Sequence, residues 1–288
     1  MYLAWEKNLE LYTTMSLPKL FTCKPESVKR MTFNENNELV VMYREWMQEC
    51  INTSVERLNQ SPKNILALTG PIGKSYCLFL LSVVLKQTPT VNDRGMKFEV
   101  LYLPSFIILT ENSDILLKEM EDSFGPWARE IISKQHKNKK PLSRFFNDLN
   151  VAASEAKVRL VLIVDQLNSI YNHPHQREVE SFLKYNYNQI SIFVSFSANC
   201  NIETKEPYYK LYDAVNFEIK ETEARSFIET VAANLANTLT DLDIAHIIDT
   251  TGGFPIDVAN LVRSKGNLKE NIMNFRLASY RLYNEDLR

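Results

Sequence analysis

Asn64-Ile-Leu-Ala-Leu-Thr-Gly-Pro-Ile-Gly-Lys-Ser75-Tyr-Cys-Leu-Phe-Leu-Leu-Ser-Val-Val-Leu85 sets a short apolar run, a glycine-bracketed turn and a longer apolar run end to end. Five residues, 64–68, suit a buried strand, and the ten from Tyr76 to Leu85 suit a buried helix. Between them, Thr69 to Ser75 has the chemistry of a phosphate-binding loop. Gly70, Pro71, Ile72 and Gly73 form the turn, and the following helix would aim its N-terminus at an anion. The Lys74 ammonium would pair with β- and γ-phosphates, the Ser75 hydroxyl would reach a Mg²⁺ ion, and Tyr76 follows on the first helical turn. The chain has only 7 glycines in 288 residues, well below the roughly 7% average, and two of them bracket this turn.

The full pattern G-x-x-x-x-G-K-[ST] would put glycine where this chain has Leu68. Either Leu68 replaces the first glycine of a loop of normal length, or Gly70 is that glycine and the loop is two residues short. The shorter loop offers fewer N–H donors, each charge-assisted bond being worth roughly 1.5–3 kcal/mol. Read without phosphate, the segment is a Gly-Pro turn between a strand and a helix.

A metal-bound phosphate needs an acid at the end of another strand. Arg159-Leu-Val-Leu-Ile-Val-Asp165-Gln166 is a continuous apolar, β-branched run closing on a carboxylate, the pattern of a central parallel strand with its functional tip at the carboxyl end. Asp165 would hold Mg²⁺ directly or through water, opposite Ser75. Gln166 can position a water but is a poor proton acceptor, which predicts slow turnover or binding without it. A third run, Gln189 to Ser195, exits into Phe196-Ser-Ala-Asn199. Ser195, Ser197 and Asn199 are candidates to sense the γ-phosphate or its water, although strand exits are also polar for turn reasons. Finally, Thr250-Thr-Gly-Gly-Phe-Pro255 lies between two apolar-periodic segments, with the Gly stop and Pro start of ordinary helix capping.

These four elements, in this order, resemble the nucleotide-binding unit of the AAA+ and STAND group of P-loop NTPases over about residues 36–265. The resemblance implies that Gly70-Pro-Ile-Gly-Lys-Ser75 is the Walker A loop, Asp165-Gln166 the Walker B tip, Asn199 a sensor-1 position and Gly253-Phe-Pro255 the Gly-x-Pro element of a lid. In hydrolysing members with an additional central strand, the residue after the Walker B Asp is commonly Glu, which polarises the attacking water; Gln166 and the shortened loop are the departures. Gly-Pro-Ile-Gly with Ile163-Val-Asp-Gln-Leu-Asn168 is also similar to the NTPase regions of Crinkler-like fungal and oomycete proteins. Their N-terminal delivery segment and C-terminal nuclease-like or kinase-like domain are not expected here.

Forty-five per cent hydrophobic residues are enough to bury a sizeable core. A net charge of −2 gives no global attraction to nucleic acid or anionic membrane. The four cysteines, at 23, 50, 77 and 200, show no paired spacing, which suits reduced thiols in a cytoplasmic or nuclear setting. No signal peptide is visible at Met1 to Lys7, and the longest apolar run is about ten residues, half a membrane span.

The fold expected is α/β: a parallel-sheet P-loop NTPase core covered by helices on both faces, with a small C-terminal helical lid. An N-terminal extension would cover residues 1–35, the core 36–220 and the lid 221–288. Strands are expected near 64–68, 97–103, 159–164, 190–196 and 214–219, with a helix from Asn37 through Leu58 before them and only helices after Glu221. Lys134 to Arg144 carries five cations in eleven residues. It reads as a solvated helix end and loop, because Pro141 breaks the helix and no aromatic interleaves the charges; contact with nucleic-acid phosphates is the other reading. His173-Pro-His175 reads as a turn rather than a metal site. Arg225 and Arg263 could supply an arginine finger. Together these features predict a Mg-ATP-binding module, slow or conditional in hydrolysis, acting as a nucleotide-dependent switch with a protein partner or a second copy of itself. The alternative is a degenerate, non-hydrolysing fold used as a protein-interaction scaffold.

Overall fold

The computed structural model describes residues 12–15, 39–42, 45–59, 65–69, 73–87, 95–110, 113–170, 173–196, 209–213, 221–233, 238–251, 255–264 and 267–285. In chain order these begin with β1 (Tyr12–Met15) and β2 (Leu39–Met42), then α1 (Glu45–Asn59), β3 (Ile65–Thr69), α2 (Lys74–Gln87) and β4 (Lys97–Leu103). There follow α3 (Ile107–Thr110), α4 (Ser113–Ser123), α5 (Arg129–Asn138), α6 (Leu142–Glu155), β5 (Val158–Val164), α7 (Gln176–Asn186), β6 (Ser191–Ser195) and β7 (Tyr209–Asp213). The last elements are α8 (Glu221–Ala233), α9 (Asp241–Thr251), α10 (Pro255–Arg263) and α11 (Leu268–Glu285). Two compact units result: α1 to β7 lie in one, and the β1/β2 hairpin with α8 to α11 in the other.

The first unit is an α/β layer structure. Its five strands are all parallel, in the order β4-β5-β6-β3-β7. Parallel neighbours require crossovers, and buried crossovers require strands that are apolar on both faces. β5 meets this with Leu160 through Val164 buried without interruption, and β4 with Phe98 and Val100 through Leu103. One face, represented by Ala67, Leu103, Leu162 and Val194, shares a core with Phe145, Phe146 and Leu149 of α6 and with Phe182 of α7. The other is covered by α2, whose Phe79 meets Tyr102 of β4 edge to face at 5.6 Å. Because α2 is buried continuously from Cys77 to Leu85, with Ser82 the one polar side chain in that run, it is a core helix rather than a surface one. Cys77 and Cys50 of α1 are buried free thiols; their mutual hydrogen bond, then burial, pushes the Cys77 thiol well above its usual pKa.

In the second unit, Ile228, Val231, Ile244, Ile247, Val258 and Leu261 form the core of the helices. α9 starts at a reciprocal cap: Asp243 N donates to Thr240 Oγ1 (3.2 Å), and Thr240 N donates to Asp243 Oδ2 (3.0 Å).

One expectation is corrected. The helix expected from Asn37 begins at Glu45, and Leu39–Met42 is instead a strand paired antiparallel with Tyr12–Met15. Its β-branched Val40 and Val41 favour that state, but the partner lies more than twenty residues away and leaves no local mark. Tyr209–Asp213 is a sheet strand that was not expected, and the strand expected at 214–219 lies outside the described residues. Tyr209–Asp213 pairs in parallel with β3 from Ile65 to Thr69. The basic stretch is a helix end and loop as expected: α5 stops at Asn138, Lys139 takes a left-handed cap (φ 44°), and Pro141 precedes α6. His173 and His175 lie in the turn before α7.

Candidate phosphate and metal site

β3 and β5 both end at the carboxyl edge of the sheet, with β6 between them. Leu68 is fully buried inside β3, and its carbonyl accepts a hydrogen bond from Phe196 N at 2.9 Å. Leu68 therefore belongs to the sheet, and β3 continues one residue beyond it to Thr69. Gly70, Pro71 and Ile72 lie outside the described residues. Gly73 has φ 74°, a left-handed value that disfavours any side chain, and its carbonyl receives Cys77 N at 2.8 Å to close the first turn of α2.

That first turn contains no acidic residue, so no carboxylate of its own occupies the helix N-terminus. Lys74, Ser75 and Tyr76 are each half-buried there. Burial holds the Lys74 ammonium below its usual pKa, and the Asp165 charge opposes that shift. Lys74 and Asp165, 91 positions apart in the chain, thus belong to one electrostatic site.

Asp165 is fully buried just past the end of β5, where its backbone N donates to Leu103 O of β4 at 2.9 Å. Burial raises its carboxyl pKa. The Ser195 hydroxyl, the Ser75 hydroxyl, the Gln166 N–H and the Lys74 charge all lower it, in that order. Ser195 Oγ donates to Asp165 Oδ1. Gln166 N is shared between Asp165 Oδ1 (2.9 Å) and Ser195 Oγ (3.0 Å). These bonds hold Gln166 at φ 53°, an uncommon conformation for a residue with a side chain, and that side chain is exposed.

The second oxygen, Asp165 Oδ2, is enclosed and has no hydrogen-bond partner of good geometry, although Ser75 acts on the same carboxylate. A buried, unpaired anionic oxygen is costly unless something else satisfies it. A hard cation fits: Mg²⁺ commonly uses one or two protein oxygens and completes its shell with water and phosphate. Ser75 and Asp165 suit that role, and among the described residues there is no cluster of three or more His, Cys, Asp or Glu.

Among the sequence candidates, the structure brings together Lys74, Ser75, Asp165 and Ser195. Asn199, Ser197 and Gly253 lie outside the described residues, and Pro255 opens α10 in the second unit. Arg225 of that unit is engaged with Asp241 at 2.6 Å, and Arg263 is exposed at the end of α10. Sequence reasoning named Ser195 only as a strand-exit residue facing the phosphate. Its bond to Asp165 had one available signal, a hydroxyl closing an apolar strand.

No family model matches the sequence, and no curated protein matches it. Among solved structures, the chain is similar to the Walker-type ATPase PABY2304 of Pyrococcus abyssi, with TM-score 0.51 and 15% identity over 93% of this chain and 78% of that one. It is also similar to the ORC2 protein of Aeropyrum pernix in ADPNP–ADP complexes, with TM-score 0.51 and 11% identity over 81% of this chain and 67% of that one. With the parallel sheet, the loop on β3 and the acid on β5, the chain has the P-loop NTPase fold.

Proposed function

We propose that this protein is a Mg-ATP-binding module of the AAA+/STAND kind, slow or conditional in hydrolysis, whose nucleotide occupancy acts as a switch read by a protein partner or a second copy. The observation that carries the reading is the Asp165 carboxylate, buried with one oxygen unsatisfied and electrostatically coupled to Lys74 at the start of an acid-free helix. A site so arranged becomes more stable when a polyphosphate and its cation arrive together. The strand inserted between β3 and β5 supports the subgroup, as does the Gly253-Phe-Pro255 sequence. The Gly70–Gly73 and Ile163–Asn168 motifs extend the proposal to the Crinkler-like NTPase regions.

In this reading, the α2 N-terminus and Lys74 hold the β- and γ-phosphates, and Ser75 and Asp165 hold Mg²⁺. Bound there, the cation would neutralise charge on the phosphate oxygens. Ser195 keeps the Asp165 carboxylate in one rotamer and fixes the Gln166 backbone. The exposed Gln166 amide orients a water without taking its proton, so positioning exceeds base catalysis and turnover is slow.

The test is a fluorescent-ATP titration of the full chain and of Lys74→Ala, with and without Mg²⁺. Mg-dependent binding that is lost in the variant is the expected result. A wild type that does not bind at millimolar ATP would instead identify a scaffold.

A further inference from the structure

A second feature of the first unit lies away from the phosphate loop. Between α6 and α7 runs a groove of about 540 Å³. It reaches Gln189, two residues before β6 begins, and so lies toward the amino ends of the strands, opposite the edge that carries Asp165.

Its lining is wholly polar apart from one ring. Lys140 and Arg144 supply cations, Asn147 and Gln189 supply amides, and Tyr185 supplies the ring. Tyr185 is 67% exposed and makes no hydrogen bond or ring contact with a described residue. The one carboxylate, Asp148, is taken by Lys140 at 2.6 Å. That leaves Arg144, one helical turn before Asp148, exposed and without an ion pair among the described residues. Gln135 fixes the loop that presents Lys140, accepting from its N (3.1 Å) and donating to its carbonyl (2.9 Å). Asn150 Nδ2 donates to Gln189 Oε1 at 3.3 Å beside the groove. Lys137 and Lys139, both exposed, continue the positive charge from the α5 end.

An aromatic face and a guanidinium that have no partner among the described residues line one groove with amides, which matches a planar base attached to a phosphate. The linear basic stretch lacks an aromatic of its own, and the fold supplies one from α7, more than forty positions later. We infer that the α6/α7 groove binds single-stranded nucleic acid, with a base stacked on Tyr185 and backbone phosphates on Arg144 and Lys140. Sequence-tolerant recognition follows, because every base has a face to stack while the cations read only charge.

The experiment is fluorescence anisotropy of a labelled oligothymidine of about a dozen nucleotides with the full chain at about 50 mM salt. Wild type is expected to bind, with Tyr185→Ala and Arg144→Glu each weakening binding about tenfold. Tyr185→Phe should stay within about twofold, since the stacking face remains. Lys118→Glu on α4 carries the same charge change as Arg144→Glu outside the groove and is also expected within about twofold. All three side chains are at the surface, and circular dichroism checks that each variant folds. No binding by the wild type overturns the inference. So does binding indifferent to Tyr185 and Arg144, displacement by excess Mg-ATP, which would put the oligonucleotide in the phosphate loop, or equal competition by polyglutamate, which would make the groove a receptor for acidic chains.

Discussion

Lys74 and Lys86 stand at opposite ends of α2, and burial lowers the pKa of both, yet their surroundings differ. Lys86 lies at the C-terminal end, where the helix dipole favours a cation. Its charge is supported by Glu119 and Asp122, and its ammonium donates to Ser123 Oγ at 3.3 Å. Lys74 lies at the N-terminal end, where the dipole opposes a cation, and the Asp165 charge supports it without overcoming burial. A lysine placed against the local field and given limited compensation improves its environment when an anion binds. A lysine placed with the field and flanked by two acids has partners for its charge within the protein, although burial still outweighs them and lowers its pKa to about 8.

Replacing each lysine is the sharpest way to break this comparison. Lys74→Ala is expected to weaken Mg-ATP binding on the order of a hundredfold, the upper end for a lost charge-assisted contact, while the apo protein unfolds at the same temperature or higher. A calorimetric titration beside a thermal melt checks both halves.

Lys86→Met should do the reverse, leaving nucleotide affinity unchanged and altering stability with pH. The folded pKa of Lys86 is about 8 against an ordinary 10.5. Between these values the unfolded chain holds more protons, so this group makes unfolding free energy rise with pH across that window. Below about pH 8 the burial cost is present in full. In Lys86→Met that gain, about 3 kcal/mol at most, disappears from urea unfolding curves measured from pH 7.5 to 10.5. An unchanged slope would show that Lys86 is more solvated than the structure indicates.

The metal side of the site gives the next effect. Asp165→Asn should remove the Mg-dependent part of ATP affinity, about tenfold or more, and leave Mg-free binding intact. A fall in both would mean that Asp165 orders the loop itself. Ser195→Ala takes one donor from the Asp165 carboxylate and one acceptor from Gln166 N. The expected loss is about 1 kcal/mol, confined to the Mg-dependent term, and equal losses with and without Mg²⁺ would make Ser195 a purely structural residue.

The phosphate half was legible because its parts are contiguous. A turn with a positive-φ glycine, a lysine and a hydroxyl at the head of an apolar helix can be read off one short stretch, as can a carboxylate ending a β-branched run. Leu68 looked like a defect in that stretch, and its burial in β3 shows that the strand runs two residues further than the full pattern allows. The acid side of the candidate site was only partly legible. Ser195 and Asp165 are 30 positions apart, and their bond exists because β5 and β6 are neighbours, an order that no local pattern encodes.

By itself, then, the sequence determined the strand–helix alternation, the loop chemistry and the acid at the strand tip, because each is a short-range matter of side-chain period and type. Only the tertiary structure decided which strand lies between loop and acid, that Leu39–Met42 pairs with Tyr12–Met15 instead of extending a helix, and that Tyr185 and Arg144 line one groove. Sheet order and cross-strand pairing depend on contacts between distant residues, and their free energy appears only once the chain has folded.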